Sequence, residues 1–148
     1  MLVKEFMTKD VVTCSPDQTV GEAAELMSEK GFNIMPIVDD SNKLLGIITE
    51  SDFIGKEVEI PHAMVSMKKI FGKTFNLKDV EAVYAESKKT KLEKFMSTNL
   101  KTIAPDATLN SLVDLMVSSN LKRIPVVDGD KLVGIIARKD LIKAFNKA

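Results

Sequence analysis

Tryptophan is absent, tyrosine occurs once, and aromatic residues make up 5% of the 148 positions. Few flat rings are therefore available on which the bases of a single-stranded nucleic acid could stack. One cysteine, Cys14, excludes an internal disulfide; with no basic-apolar leader at the start of the chain, it favours a reducing cytoplasm. A lone free cysteine of this kind is more often a small buried hydrophobe than a nucleophile. The single histidine, His62, has no Cys, His or paired carboxylate at ligand spacing beside it, so metal coordination is not expected. No apolar run approaches the ~20 residues that span a bilayer. Neither sign of charge dominates, since Lys+Arg and Asp+Glu each number 21, and this argues against bulk duplex DNA or an anionic membrane surface as partner. A Gly-x-Ser-x-Gly elbow, a phosphate-cradling Gly-rich loop and a His-Glu-x-x-His pair are also missing. No base, orienting group or oxyanion donor can be placed near Cys14 or His62, so an enzyme is not expected.

What the chain does have is a repeat. Gly46-Ile47-Ile48-Thr49-Glu50-Ser51-Asp52 returns as Gly134-Ile135-Ile136-Ala137-Arg138-Lys139-Asp140. Each copy follows a proline-led apolar run, Met35-Pro36-Ile37-Val38-Asp39 in one half and Ile124-Pro125-Val126-Val127-Asp128 in the other. Phe6-Met7 recurs as Phe95-Met96, Pro16-Asp17 as Pro105-Asp106 and Leu26-Met27 as Leu115-Met116, at an offset of 89 that falls to 88 after the turn between the two apolar runs. Self-similarity at a fixed period marks two copies of one structural unit, with a loop one residue shorter in the second. The boundaries that follow are 1–56 for the first repeat with its lead-in helix, 57–91 for a helical insert or linker, and 92–148 for the second repeat.

Within the first repeat, Lys4 to Met7 reads as a short lead-in helix and Val11 to Cys14 as a strand stopped by Ser15-Pro16. Thr19 to Glu22 has the spacing of a capping box. Val20, Ala23, Ala24 and Met27 then share one helical face, and Gly31 is placed to end the helix in a left-handed conformation. Ile34 to Val38 and Leu44 to Thr49 form a hairpin across the turn cluster Asp39 to Lys43, and Ser51 or Asp52 can cap a following helix. The second repeat follows the same plan: strand Thr102 to Ile103, helix Thr108 to about Ser119, strand Arg123 to Val127, a tight Asp128-Gly129 turn, strand Leu132 to Ile136 and helix Lys139 to Asn146. In the insert, 63–71 and 77–86 have helical spacing, the latter led by Asn76 as cap. Ser87 to Lys91 reads as a solvated linker rather than a binding patch.

The doubled order Met-Thr/Ser, short strand, Pro-Asp, helix, Pro-h-Val-Asp, Gly-Ile-Ile-x-x-x-Asp (h, apolar) resembles a tandem pair of CBS (cystathionine β-synthase) domains, a Bateman module, over residues 4 to 54 and 93 to 146. The resemblance implies an α/β (α+β) fold of two pseudo-twofold-related β-α-β-β-α repeats packed through their sheets. It implies two clefts that take adenine nucleotides or related adenosyl compounds, and a flat homodimer paired through helices. In such modules the aspartate closing the Gly-h-h-Thr-x-x-Asp motif takes ribose hydroxyls, a role that falls here on Asp52 and Asp140. The hydroxyl three residues earlier is kept at Thr49 and lost at Ala137. The first strands, here Thr13, Thr102 and Ala104, line the base together with Met35, Pro36, Ile124 and Pro125 around the prolines. Arg123, Arg138 and Lys139 supply positive charge for phosphates, strengthened by the anion preference of a helix start.

The expected function is a stand-alone regulatory module that senses AMP, ADP, ATP or S-adenosylmethionine, requires no cofactor, and is read by an unidentified target protein. The expected sites are unequal, the one with both Thr49 and Asp52 being the tighter. The rival is a structural dimerisation or interaction module that binds no nucleotide. Each site residue also has a plainer role open to it: an aspartate before a helix commonly caps it, a threonine is common in strands, and Arg123 could sit in a surface salt bridge of little energetic weight.

Overall fold

The computed structural model describes residues 1–53 and 80–148. The helix expected over 63–71, the cap expected at Asn76, and His62 lie outside the described residues. The chain divides into two compact units. One, here the repeat-1 unit, comprises Thr13–Asp40 and Leu45–Leu100; the other, the repeat-2 unit, comprises Met1–Val12, Ser41–Leu44 and Lys101–Ala148.

In the repeat-1 unit, helix α1 spans Val20–Lys30 and buries Val20, Ala23 and Met27, as the apolar spacing requires. Thr19 caps it, Oγ1 accepting from the Glu22 N–H at 3.2 Å. Only that half of the expected capping box forms, because Glu22 accepts instead from Gln18 Nε2 at 3.2 Å. The helix start has other partners: Val20 N–H donates to Thr90 O at 2.8 Å and Gly21 N–H to Lys88 O at 3.1 Å. Donors left over at a helix N-terminus must be satisfied somewhere, and here residues 88–90 supply the carbonyls. Ser87–Lys91 is therefore more than a solvated linker: its lysines are exposed, but Ser87 and Thr90 are buried. Gly31, at φ 67°, closes α1 with its N–H on Met27 O.

Strands β1 (Ile34–Val38) and β2 (Leu44–Thr49) pair as a two-stranded hairpin, and a 3-10 turn follows over Glu50–Phe53. Helices α2 (Val80–Ser87) and α3 (Leu92–Phe95) complete the unit. The strand expected over Val11 to Cys14 is reduced to a single parallel bridge, in which Cys14 N–H donates to Pro36 O at 3.0 Å and Val38 N–H to Cys14 O at 2.9 Å. Pro16 leaves no room for the ladder to run further.

The repeat-2 unit has the same plan. Helix α4 (Leu109–Ser118) is capped by Thr108, whose Oγ1 accepts from Ser111 N–H at 3.2 Å. Strands β3 (Arg123–Asp128) and β4 (Lys131–Ala137) are antiparallel, with Asp128 opposite Lys131. The two-residue loop is thus Gly129-Asp130, one position later than the expected Asp128-Gly129, because it is Gly129 that adopts the positive φ of 65° a tight hairpin needs. Helix α5 (Asp140–Lys147) ends the described chain. Ile103 alone stands in for the strand expected at Thr102–Ile103, bridging β3 in parallel. The core gathers Ile103, Leu112, Met116, Ile124, Val126, Ile136 and Ala144.

Two further members of that core, Val3 and Phe6, come from the other end of the chain. The lead-in is a 3-10 turn, Val3–Glu5, rather than a helix over Lys4 to Met7. Its Val3 N–H donates to Ala107 O and its Lys4 N–H to Pro105 O, both at 2.9 Å, while Leu109 N–H donates to Met1 O. In the repeat-1 unit the equivalent bonds run from Leu92 N–H to Gln18 O at 2.8 Å and from Glu93 N–H to Pro16 O at 3.1 Å. Each lead-in segment therefore packs with the repeat that it does not precede.

Candidate functional site

Both Gly-Ile-Ile strands end in a turn built by an aspartate. Asp52 Oδ2 accepts from the Thr49 N–H at 2.8 Å, and Asp140 Oδ2 from the Ala137 N–H at 2.8 Å. Each carboxylate thus reaches back three residues to the last strand position and fixes the direction in which the chain leaves the sheet. Asp140 does not act through the helix-start amides that an N-cap would use; the position before α5 is Lys139, which makes no side-chain cap.

The two turns differ in access and chemistry. Asp140 is 1% exposed, and its Oδ1 lies 2.9 Å from Lys143 Nζ. That distance permits an ion pair, although the geometry does not qualify as a hydrogen bond and Oδ1 has no other partner. Asp52 is 8% exposed, and beside it Thr49 Oγ1 and Ser51 Oγ stand 2.8 Å apart. Ala137, buried, offers no hydroxyl. The first turn presents a carboxylate and two hydroxyls, whereas the second presents a buried carboxylate balanced by a lysine.

The basic residues divide by role. Arg138 Nε donates to Leu121 O at 2.8 Å and an Nη to Asn120 Oδ1 at 3.3 Å, while its N–H donates to Lys122 O. The guanidinium thus holds the turn between α4 and β3, where Asn120 has a positive φ of 50°. Sequence reading missed this acceptor pair; the cue available was an asparagine just after a helix, a residue that tolerates the left-handed region. Arg123 lies directly across the hairpin from Ala137, at the strand end from which the Asp140 turn departs. Lys139 is exposed.

Among the residues expected to line a base, Met35, Pro36, Ile124 and Pro125 are buried, Thr13 and Thr102 are half-buried, and Ala104 is exposed. The two prolines have a common backbone role: Pro36 O accepts from Cys14 N–H, and Pro125 O from Ile103 N–H at 3.1 Å. Thr13 is thereby placed beside β1, and Thr102 and Ala104 beside β3. Cys14 is buried, and burial pushes its thiol pKa up, with the Glu22 charge adding to the effect. It has none of the electropositive surroundings of a reactive cysteine. Among the described residues no cluster of three or more His, Cys, Asp or Glu could hold a metal ion, and no helix is long and apolar enough to cross a membrane.

Two hairpins, each met by a single parallel bridge, flanked by helices and ended by an aspartate turn, define a pair of CBS domains. The CBS domain family model matches residues 3–59 and 92–147, and the chain belongs to that family. It is 32% identical over 140 residues to inosine-5′-monophosphate dehydrogenase of Methanocaldococcus jannaschii, covering 94% of this chain but only 22% of that enzyme. It is 30% identical to the CBS domain-containing protein YhcV of Bacillus subtilis, over 94% of this chain and 81% of the relative. Among solved structures, the CBS domain pair of protein MJ0100, crystallised with 5′-methylthioadenosine and S-adenosyl-L-methionine, superposes with a TM-score of 0.69 at 26% identity, covering 99% of this chain and 97% of that one.

Proposed function

We propose that this chain is a regulatory module that holds an adenosine-containing small molecule, of the AMP, ADP, ATP or S-adenosylmethionine type, at the Thr49–Asp52 turn. It has no catalysis of its own. The observation that carries the reading is the composition of that turn: a carboxylate with two hydroxyls at the end of a half-buried strand. A ribose cis-diol can donate two hydrogen bonds to one carboxylate, whose two oxygens are both acceptors. Methylthioadenosine and S-adenosylmethionine in the MJ0100 pair are of the same chemical class. Occupancy favours one packing of the module, and a target protein reads that state through differential affinity. The module works in the cytoplasm and pairs as a homodimer.

Isothermal titration of the chain with AMP, ADP, ATP and S-adenosylmethionine tests the reading; silence across the panel at physiological concentrations would sink it. Asp52→Ala is expected to abolish the tighter binding event, and Asp140→Ala to have the smaller effect. The reverse ranking would show that the asymmetry is misassigned. Circular dichroism on both variants separates lost binding from lost fold. A second reading, a dimerisation module that binds no nucleotide, is favoured by the exposure of Val117 and Phe145, at 76% and 81%.

A further inference from the structure

The turn that closes β4 already holds a charged group of its own. Asp140 commits Oδ2 to the Ala137 N–H, but its Oδ1 is buried and makes no hydrogen bond. A charged oxygen buried without a partner is costly, and what offsets the cost here is the Lys143 ammonium 2.9 Å away. Lys143 stands at i,i+3 from Asp140 on α5, where two side chains share a face. The two ends of the pair have different surroundings: the lysine side chain is 59% exposed and the aspartate 1%. The carboxylate is anchored by its backbone bond, whereas the flexible four-carbon stem of a lysine can swing into water. One partner is fixed and the other can leave.

The first repeat has no such group at the matching position. Eighty-eight residues before Lys143 the sequence has Gly55, which carries no side chain. Arg138, although next but one to Asp140, is engaged with Leu121 O and Asn120 Oδ1, so it is Lys143 that answers the Oδ1 charge. We propose that Lys143 is an internal competitor for the repeat-2 turn, its ammonium taking the Asp140 oxygen to which a ribose diol would donate. The inference rests on the adenosyl reading above and deepens it, giving one residue of a single unit control over whether the second turn accepts ligand. An ammonium attracts a carboxylate more strongly than a neutral hydroxyl does. A diol must therefore displace the lysine, and its apparent affinity falls by the fraction of chains in which Oδ1 is uncovered.

Isothermal titration with adenosine tests the role, because adenosine carries the diol but no phosphate for a lysine to attract. Lys143→Met keeps the alkyl stem and removes the charge. In that variant the binding event that Asp140→Ala abolishes is expected to appear, or to tighten about ten-fold, the factor that follows when a competitor leaves about one chain in ten competent. Lys143→Arg keeps the charge and is expected to bind as the native chain does. 2′-Deoxyadenosine, which lacks one hydroxyl of the pair, is expected to gain nothing from Lys143→Met. Circular dichroism checks the fold of each variant, and the uncharged Lys143→Gln chain repeats the measurement should Lys143→Met not fold. Adenosine binding that Lys143→Met leaves unchanged or weakens, or a gain shared by Lys143→Arg or by 2′-deoxyadenosine, would overturn the competitor role and leave the adenosyl reading standing. Silence of the native chain and of every variant would overturn both.

Discussion

Asp52 and Asp140 occupy equivalent turns, but their carboxylates are not equivalent acceptors. Both spend one oxygen on a backbone N–H three residues back. The buried Asp140 has Lys143 beside its other oxygen, which suits it to holding the turn; Asp52 keeps some exposure and has hydroxyls for neighbours. The residue that speaks most directly to pH is Cys14. Burial raises its pKa, so the folded state favours the neutral thiol. That contribution to stability is fully present below the unfolded thiol's value of about 8.5 and is lost as pH rises through the higher folded value. The urea midpoint of the native chain should therefore fall more steeply above about pH 8.5 than that of Cys14→Ala; parallel curves would show that the thiol is not desolvated. That Cys14 is buried was legible from composition, whereas its bridging of β1 was not, since nothing local marks a one-residue strand.

At the scale of elements, the glycines of the two Gly-Ile-Ile strands acquire a reason. A Cβ on Gly46 would lie 2.5 Å from Met96 Sδ and 2.9 Å from Ser97 O; one on Gly134 would lie 2.7 Å from Met7 Sδ and 2.8 Å from Thr8 O. The methionines can bend away, but the carbonyls cannot, because Ser97 and Thr8 are tied to Ile47 and Ile135 by paired backbone bonds of 2.9–3.0 Å. Gly46→Ala and Gly134→Ala should each cost about 1–3 kcal/mol through overpacking. For a domain of this size that lowers the melting temperature by roughly 2–4 °C per kcal/mol, and unchanged melting in both variants would refute the close approach. The repeat of Phe-Met at 89 and of Gly at 88 is plain in the sequence. Which methionine covers which glycine was not, because an offset says that two elements are alike, not that they touch.

At the scale of the whole chain, the lead-in segments are exchanged. Val3 is fully buried and Phe6 nearly so, both in the repeat-2 core, and Leu92 and Phe95 are buried in the repeat-1 unit. Each large apolar side chain buried this way is worth about 1.5–3 kcal/mol, a sizeable share of the about 5–15 kcal/mol by which a native chain is stable. Deleting residues 1–8 should therefore destabilise β3 and β4 selectively. Hydrogen exchange is the measurement: amides of β3 and β4 should lose protection in the truncated chain while those of β1 retain it, and the opposite pattern would mean that the lead-in belongs with the repeat it precedes.

The sequence by itself determined the two repeats, the hairpins, the helix caps at Thr19 and Thr108, the left-handed stop at Gly31 and the aspartates that close each strand. These depend on spacing and on the local chemistry of a few neighbouring residues, which the chain states in order. The tertiary structure decided what those local rules leave open. Residues 88–90, rather than a reciprocal Glu22, satisfy the start of α1; Arg138 holds Asn120 and Leu121; and the segment ahead of each repeat packs on the other. A backbone donor or a buried methionine needs a partner, but local sequence does not say from how far along the chain the partner must come.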